Sequence, residues 1–101
     1  QEREAAKDML AQANFEEERT WKDNVQRSED AQARFQSALN LEKLQEKIVT
    51  RERQRLLNGR TTTFQLITQE QTLANAQIQR VKTQLEFVRT SNNLRTFQER
   101  L

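Results

Sequence analysis

Leu56-Leu57-Asn58-Gly59-Arg60-Thr61-Thr62-Thr63-Phe64 decides the fold of this chain. It contains the only glycine in 101 residues, and there is no proline anywhere. Glycine takes positive φ without steric cost and is favoured just beyond a helix C-terminus. Arg51, Arg53 and Arg55 precede it, where cations suit the negative end of a helix dipole. Thr62-Thr63-Phe64-Gln65 then reads as a capping box, a Thr followed by Gln at the third residue of the next helix. A stop signal and a start signal this close together predict a tight reversal between two helices. The fold class that follows is all-α: one long antiparallel helical hairpin, coiled-coil-like, with a first helix at about 4–57, a tip turn at about 58–62 and a second helix at about 63–100.

Outward from the turn, the first arm carries Met9, Ala13, Trp21, Val25, Phe35, Leu39, Leu44, Ile48 and Leu56, with spacings of four and seven recurring. At 1.5 Å per residue such an arm is a rod of roughly 80 Å. The second arm has two apolar columns. One alternates by four and three through Ile67, Gln71, Ala74, Ile78, Val81, Leu85, Val88 and Asn92. The other recurs every seven residues through Leu66, Leu73, Arg80, Phe87, Leu94 and Leu101. A two-stranded coiled coil needs one seam. Two columns fit a helix with a neighbour on each side, as in a barrel of helices, or one broad face in a small bundle. A reversal centred near Arg60 sets Leu39 against Val81, Phe35 against Leu85, and Trp21 near Phe97. Residues before about Arg19 have no partner in that alignment.

Composition narrows the function. Charged residues are 32% and hydrophobic residues 34%, a balance that suits long exposed helices better than a globular core. The periodicity argues against disorder. The 17 basic and 15 acidic residues are interspersed, so the net charge of +2 forms no basic stripe for nucleic acid. Without Cys or His there is no disulfide, no thiolate or imidazole metal site and no usual general base. Asp8, Asp23 and Asp30 form no convergent carboxylate pair with the scattered Glu residues, and a single Gly cannot build a phosphate-cradling loop. The expectation is therefore no enzyme, no catalytic residue, no cofactor and no metal. Trp21 and Phe35 lie on the apolar stripe as packing residues. No apolar run approaches the roughly 20 residues of a membrane span. The chain begins mid-pattern without Met, and it is expected to be a segment of a larger protein.

Capping accounts for Gly59 and one Thr. It does not account for Arg60, the Thr run or Phe64, so the residues alone read the tip either as a well-capped turn or as a binding element. The segment Arg51-Glu52-Arg53-Gln54-Arg55-Leu56-Leu57-Asn58-Gly59-Arg60-Thr61-Thr62-Thr63-Phe64-Gln65-Leu66-Ile67 resembles the tip of TolC-type outer membrane efflux proteins. In that family an Arg- and Glu-rich helix runs into Gly, then Thr, then an apolar-rich stretch with Gln. Gln69-Glu70-Gln71-Thr72-Leu73-Ala74-Asn75-Ala76-Gln77 is similar to the segment that follows, and Phe87 and Leu94 fall where the family often has an aromatic residue and a Leu. The likeness covers residues 51–101. Before that it rests on length and periodicity.

The resemblance implies one of the periplasmic hairpins of a trimeric Gram-negative outer membrane channel, serving efflux by a multidrug pump or type I secretion. It implies a barrel of α-helices in the periplasm, a homotrimeric full-length parent, and a tip that docks to a periplasmic adaptor (membrane fusion) protein, through which the channel reaches an inner membrane pump. By position, Asn58, Gly59, Arg60, Thr61 and Thr62 would contact the adaptor. Some relatives place an acidic pore-lining residue just after the tip. The matching positions here are Gln65 and Thr68, so any pore lining they supply is uncharged. Leu56 stands where some relatives have an aromatic residue, which removes a gate hydrogen bond. Two other readings stay open: the α-hairpin of the adaptor itself, and a structural coiled-coil scaffold.

Overall fold

A computed structural model describes residues 2–100. Two helices, α1 (Glu2–Leu57) and α2 (Thr63–Arg100), pack antiparallel into an all-α hairpin measuring 86 × 18 × 14 Å. Both arms are rich in Gln, Glu, Arg, Leu and Ala, which lose little in a helix, and neither contains Gly or Pro to break one. Glu2 and Glu4 sit in the first turn of α1 and Arg55 in its last, each matching the end of the dipole it faces.

The turn is built from backbone bonds. Arg60 N–H donates to the Arg55 carbonyl at 2.8 Å and Gly59 N–H to that of Leu56 at 3.0 Å. This crossed pair is a Schellman ending, and it requires a left-handed residue. Gly59 supplies it at φ 69°. Helix α2 starts four residues after Gly59. Thr62 accepts from Gln65 N–H at its hydroxyl (3.2 Å) and from Leu66 N–H at its carbonyl (3.2 Å), as an N-cap does.

The seam between the helices follows alternating steps of three and four. On α1 it runs through Trp21, Asn24, Ser28, Ala31, Phe35, Ala38, Glu42, Gln45, Val49, Glu52 and Leu56, all buried or half-buried. On α2 it runs through Leu66, Gln69, Leu73, Ala76, Arg80, Thr83, Phe87, Thr90, Leu94 and Phe97, all half-buried. The heptad column of α2 is thus the one that meets α1. The pairing of Leu39 with Val81 and Phe35 with Leu85 does not form. Val81 and Leu85 are exposed, and Phe35 packs on Phe87 instead, with ring centroids 5.9 Å apart. Trp21 stacks on Phe97 at 5.8 Å, as the reversal near Arg60 predicts.

The core is thin. Its fully enclosed apolar residues are Ala31, Ala38 and Val49. Much of the seam is polar and paired across the helices. Arg80 Nε donates to Glu42 Oε2 at 2.6 Å, and Gln45 Nε2 donates to the carbonyl and side-chain oxygens of Gln69 at 3.2 and 2.9 Å. Nearer the tip, within α1, Arg55 Nη1 reaches back to Glu52 Oε1 at 3.1 Å. No buried side-chain polar atom among the described residues lacks a partner. Paired polar layers of this kind add little net stability, but they penalise any register that leaves them against Leu or Phe. Glu2–Thr20 extends past the last turn of α2, and every residue in it is exposed.

Candidate functional site

Two features of the hairpin are left with nothing to do in the fold itself: the surface of the tip and an apolar row on each arm. At the tip, Asn58, Gly59, Arg60 and Thr62 are exposed and Thr61 is half-buried. Their roles differ. Gly59 is held by its φ, and a Cβ there would meet no heavy atom within 4 Å, so the backbone lies open to an approaching surface. The Thr62 hydroxyl is occupied as the cap of α2. The Arg60 carbonyl receives a long contact from Arg55 Nη2 at 3.4 Å, while the Arg60 guanidinium makes no ion pair among the described residues.

Leu57 and Phe64 lie outside the five positions that the resemblance assigns to adaptor contact, although Phe64 is one of the residues that capping leaves unexplained, and both belong to the tip. They are 86% and 73% exposed and bracket the turn. The sequence does carry a signal for them: both fall one or two places out of step with the seam, whose last members are Leu56 and Leu66. The tip therefore presents two apolar side chains, a cation and hydroxyls around open backbone. Such a mixture suits a small protein contact with apolar anchors and a polar rim.

Gln65 and Thr68 lie in the first two turns of α2 and are both exposed. Thr68 turns its hydroxyl back to the Phe64 carbonyl at 3.0 Å. Continuing by threes and fours, Thr72, Asn75 and Gln79 make the same flank polar and uncharged. This flank shares with Ala33, Ser37, Ala38 and Leu41 of α1 an open groove of about 630 Å3. The small side chains Ala38 and Ala76 leave room for it.

The apolar rows occupy opposite flanks. On α2, Ile67, Ile78, Val81, Leu85 and Val88 are all exposed, Leu85 by 62%. At about 100° per residue that row points roughly 150° away from the seam. It lies beside Glu70, which takes Arg53 Nη2 across the helices at 3.3 Å. On α1, Leu41 and Leu44 are exposed, and Ile48 is half-buried. They continue the side of Arg34, which meets Glu86 at 3.5 Å on the opposite flank. Each helix thus has an apolar edge that its partner in the hairpin leaves uncovered.

Among the described residues no cluster of acidic side chains could hold a metal ion, and no helix is long and apolar enough to cross a membrane. No protein-family model, curated protein or solved structure matches the chain.

Proposed function

We propose that this chain is the periplasmic tip hairpin of a TolC-like outer membrane channel, working by docking and conduction rather than by chemistry. The observation that carries the reading is the exposed row Ile67, Ile78, Val81, Leu85 and Val88, turned away from α1. An isolated two-helix hairpin gains nothing from a second apolar column. A hairpin that is one stave of a barrel of helices needs one edge for each neighbour, and α1 offers Leu41 and Leu44 on the other flank. Contiguous exposed apolar rows of this kind mark interaction surfaces.

In that arrangement the tips form the periplasmic end of a homotrimeric channel. Asn58, Gly59, Arg60, Thr61 and Thr62, flanked by Leu57 and Phe64, meet the tips of a periplasmic adaptor protein, which links the channel to an inner membrane pump. Gln65 and Thr68 contribute an uncharged stretch beside the opening. The open backbone at Gly59 favours close approach, and the exposed hydroxyls can exchange hydrogen bonds with the adaptor.

The chain has no Cys, so a single introduced thiol is a unique probe. Arg60→Cys in the full-length parent is expected to cross-link in cells to a Cys-bearing adaptor tip, and Glu46→Cys on the exposed middle of α1 is not. Cross-linking from neither position, at normal expression, sinks the docking role and moves the hairpin to the adaptor or scaffold class.

A further inference from the structure

Asn58 stands apart from every other asparagine in the chain. It is the first residue beyond α1 and is followed by the only glycine. Asn14, Asn24, Asn40, Asn75, Asn92 and Asn93 all lie inside helices, and each is followed by a residue with a side chain. Asn58 is exposed, and its carboxamide makes no hydrogen bond among the described residues. Nothing crowds the far side of Gly59 within 4 Å of where a Cβ would stand. The carboxamide carbon of an asparagine lies within reach of the next residue's backbone nitrogen whenever the main chain can rotate. Glycine hinders that approach least.

We propose that Asn58 is a site of spontaneous conversion to aspartyl and isoaspartyl residues, which changes the charge and the backbone of the tip. The Gly59 backbone nitrogen attacks Asn58 Cγ. The N–Cγ bond forms, the Cγ–Nδ2 bond breaks, the Gly59 N–H proton passes to solvent base, and Nδ2 takes up a proton and leaves as ammonia. Water then opens the five-membered succinimide at either carbonyl. Opening at one gives an ordinary aspartyl residue in place of Asn58. Opening at the other gives the isoaspartyl isomer, with an extra methylene in the main chain. Water is consumed, ammonia is released, and nothing is oxidised or reduced.

The fold regulates this chemistry. Gly59 N–H is engaged with the Leu56 carbonyl at 3.0 Å, and Arg60 N–H with that of Arg55 at 2.8 Å. Both bonds must open before the Gly59 nitrogen can attack. They close the last turn of a helix, where local opening costs least. The six helical asparagines are held by ladder bonds on both sides and serve as internal controls. The products act against the turn. A carboxylate at this position sits at the negative end of the α1 dipole. The isoaspartyl form lengthens the loop that the two Schellman bonds close. This reaction stands whether or not the tip docks to an adaptor.

The test incubates the intact chain at mildly alkaline pH and follows each asparagine by peptide mass spectrometry, reading the mass gain of an amide that becomes an acid. Isoaspartate is scored separately with a protein isoaspartyl methyltransferase. Asn58 is expected to convert roughly tenfold or more faster than any helical asparagine, about 1.4 kcal/mol in barrier, with isoaspartate among the products. Gly59→Ala is expected to slow it by a similar factor. Because that variant also strains the turn, the isoaspartate content of the unaltered chain is an independent readout. Conversion at Asn58 no faster than at Asn40, or conversion without any isoaspartate, overturns the proposal.

Discussion

The two apolar columns of α2 run side by side along one helix and are opposite in fate. Leu66, Leu73, Phe87 and Leu94 face α1 and are half-buried, while Ile67, Ile78, Val81, Leu85 and Val88 face away and are exposed. If apolar content alone chose the seam, the second set would have won, since it includes four β-branched residues and a Leu. What separates them is what stands opposite and between. The inner column alternates with Gln69, Ala76 and Thr83, which are small or can bond across. It also carries Arg80 to Glu42 at 2.6 Å. On α1 the seam is narrowed by Ala31 and Ala38. Small residues let the backbones approach, and matched polar groups fix the register. The large apolar side chains of the other column are left exposed.

This contrast makes ranked predictions. Phe87→Ala, removing the half-buried ring that packs on Phe35, is expected to destabilise the hairpin by about 2 kcal/mol, below the range for a fully buried aromatic. Val88→Ala, one residue along on the exposed column, is expected to change it by less than about 0.5 kcal/mol. Thermal unfolding followed by circular dichroism measures both, and equal losses would erase the distinction between the columns. Glu42→Ala comes next, at about 2 kcal/mol, because it strips Arg80 of its partner at the edge of the seam. Replacing both by Leu is expected to restore most of that loss while relaxing register, which cross-linking across the seam would register as extra pairings. Gly59→Ala should cost about 1 kcal/mol. The cost is backbone strain at φ 69°, since space for a methyl group is already there. Thr62→Ala, which removes the cap on Gln65 N–H, should cost about 1 kcal/mol or somewhat less by the same unfolding assay.

The sequence makes the turn legible and leaves the faces ambiguous, for physical reasons. A lone Gly between an Arg-rich helix end and a Thr-x-x-Gln start is a local signal, and Gly59 and Thr62 take the conformation and the hydrogen bond that signal requires. The reversal point also sets which residues lie level, so Trp21 and Phe97 meet. It does not set the rotation of each helix about its own axis. That depends on pairings such as Glu42 with Arg80 and Gln45 with Gln69, which look like surface residues when a chain is read for apolar periodicity. Phe64 already stands out in the sequence beside the Thr run, whereas Leu57 escapes a reading of the tip because an apolar side chain at a helix end is ordinarily counted toward the core. Its exposure reverses that reading.

The most direct test of the central claim, that the outer column of α2 is built for a neighbouring helix, is the reactivity of a single thiol at Val88→Cys toward a maleimide. In the isolated chain this position is half-exposed and should label quickly. In the proposed channel assembly it should be protected, while Glu46→Cys labels in both. Equal, rapid labelling of Val88→Cys in the two settings would contradict the account, leaving the hairpin free on that flank.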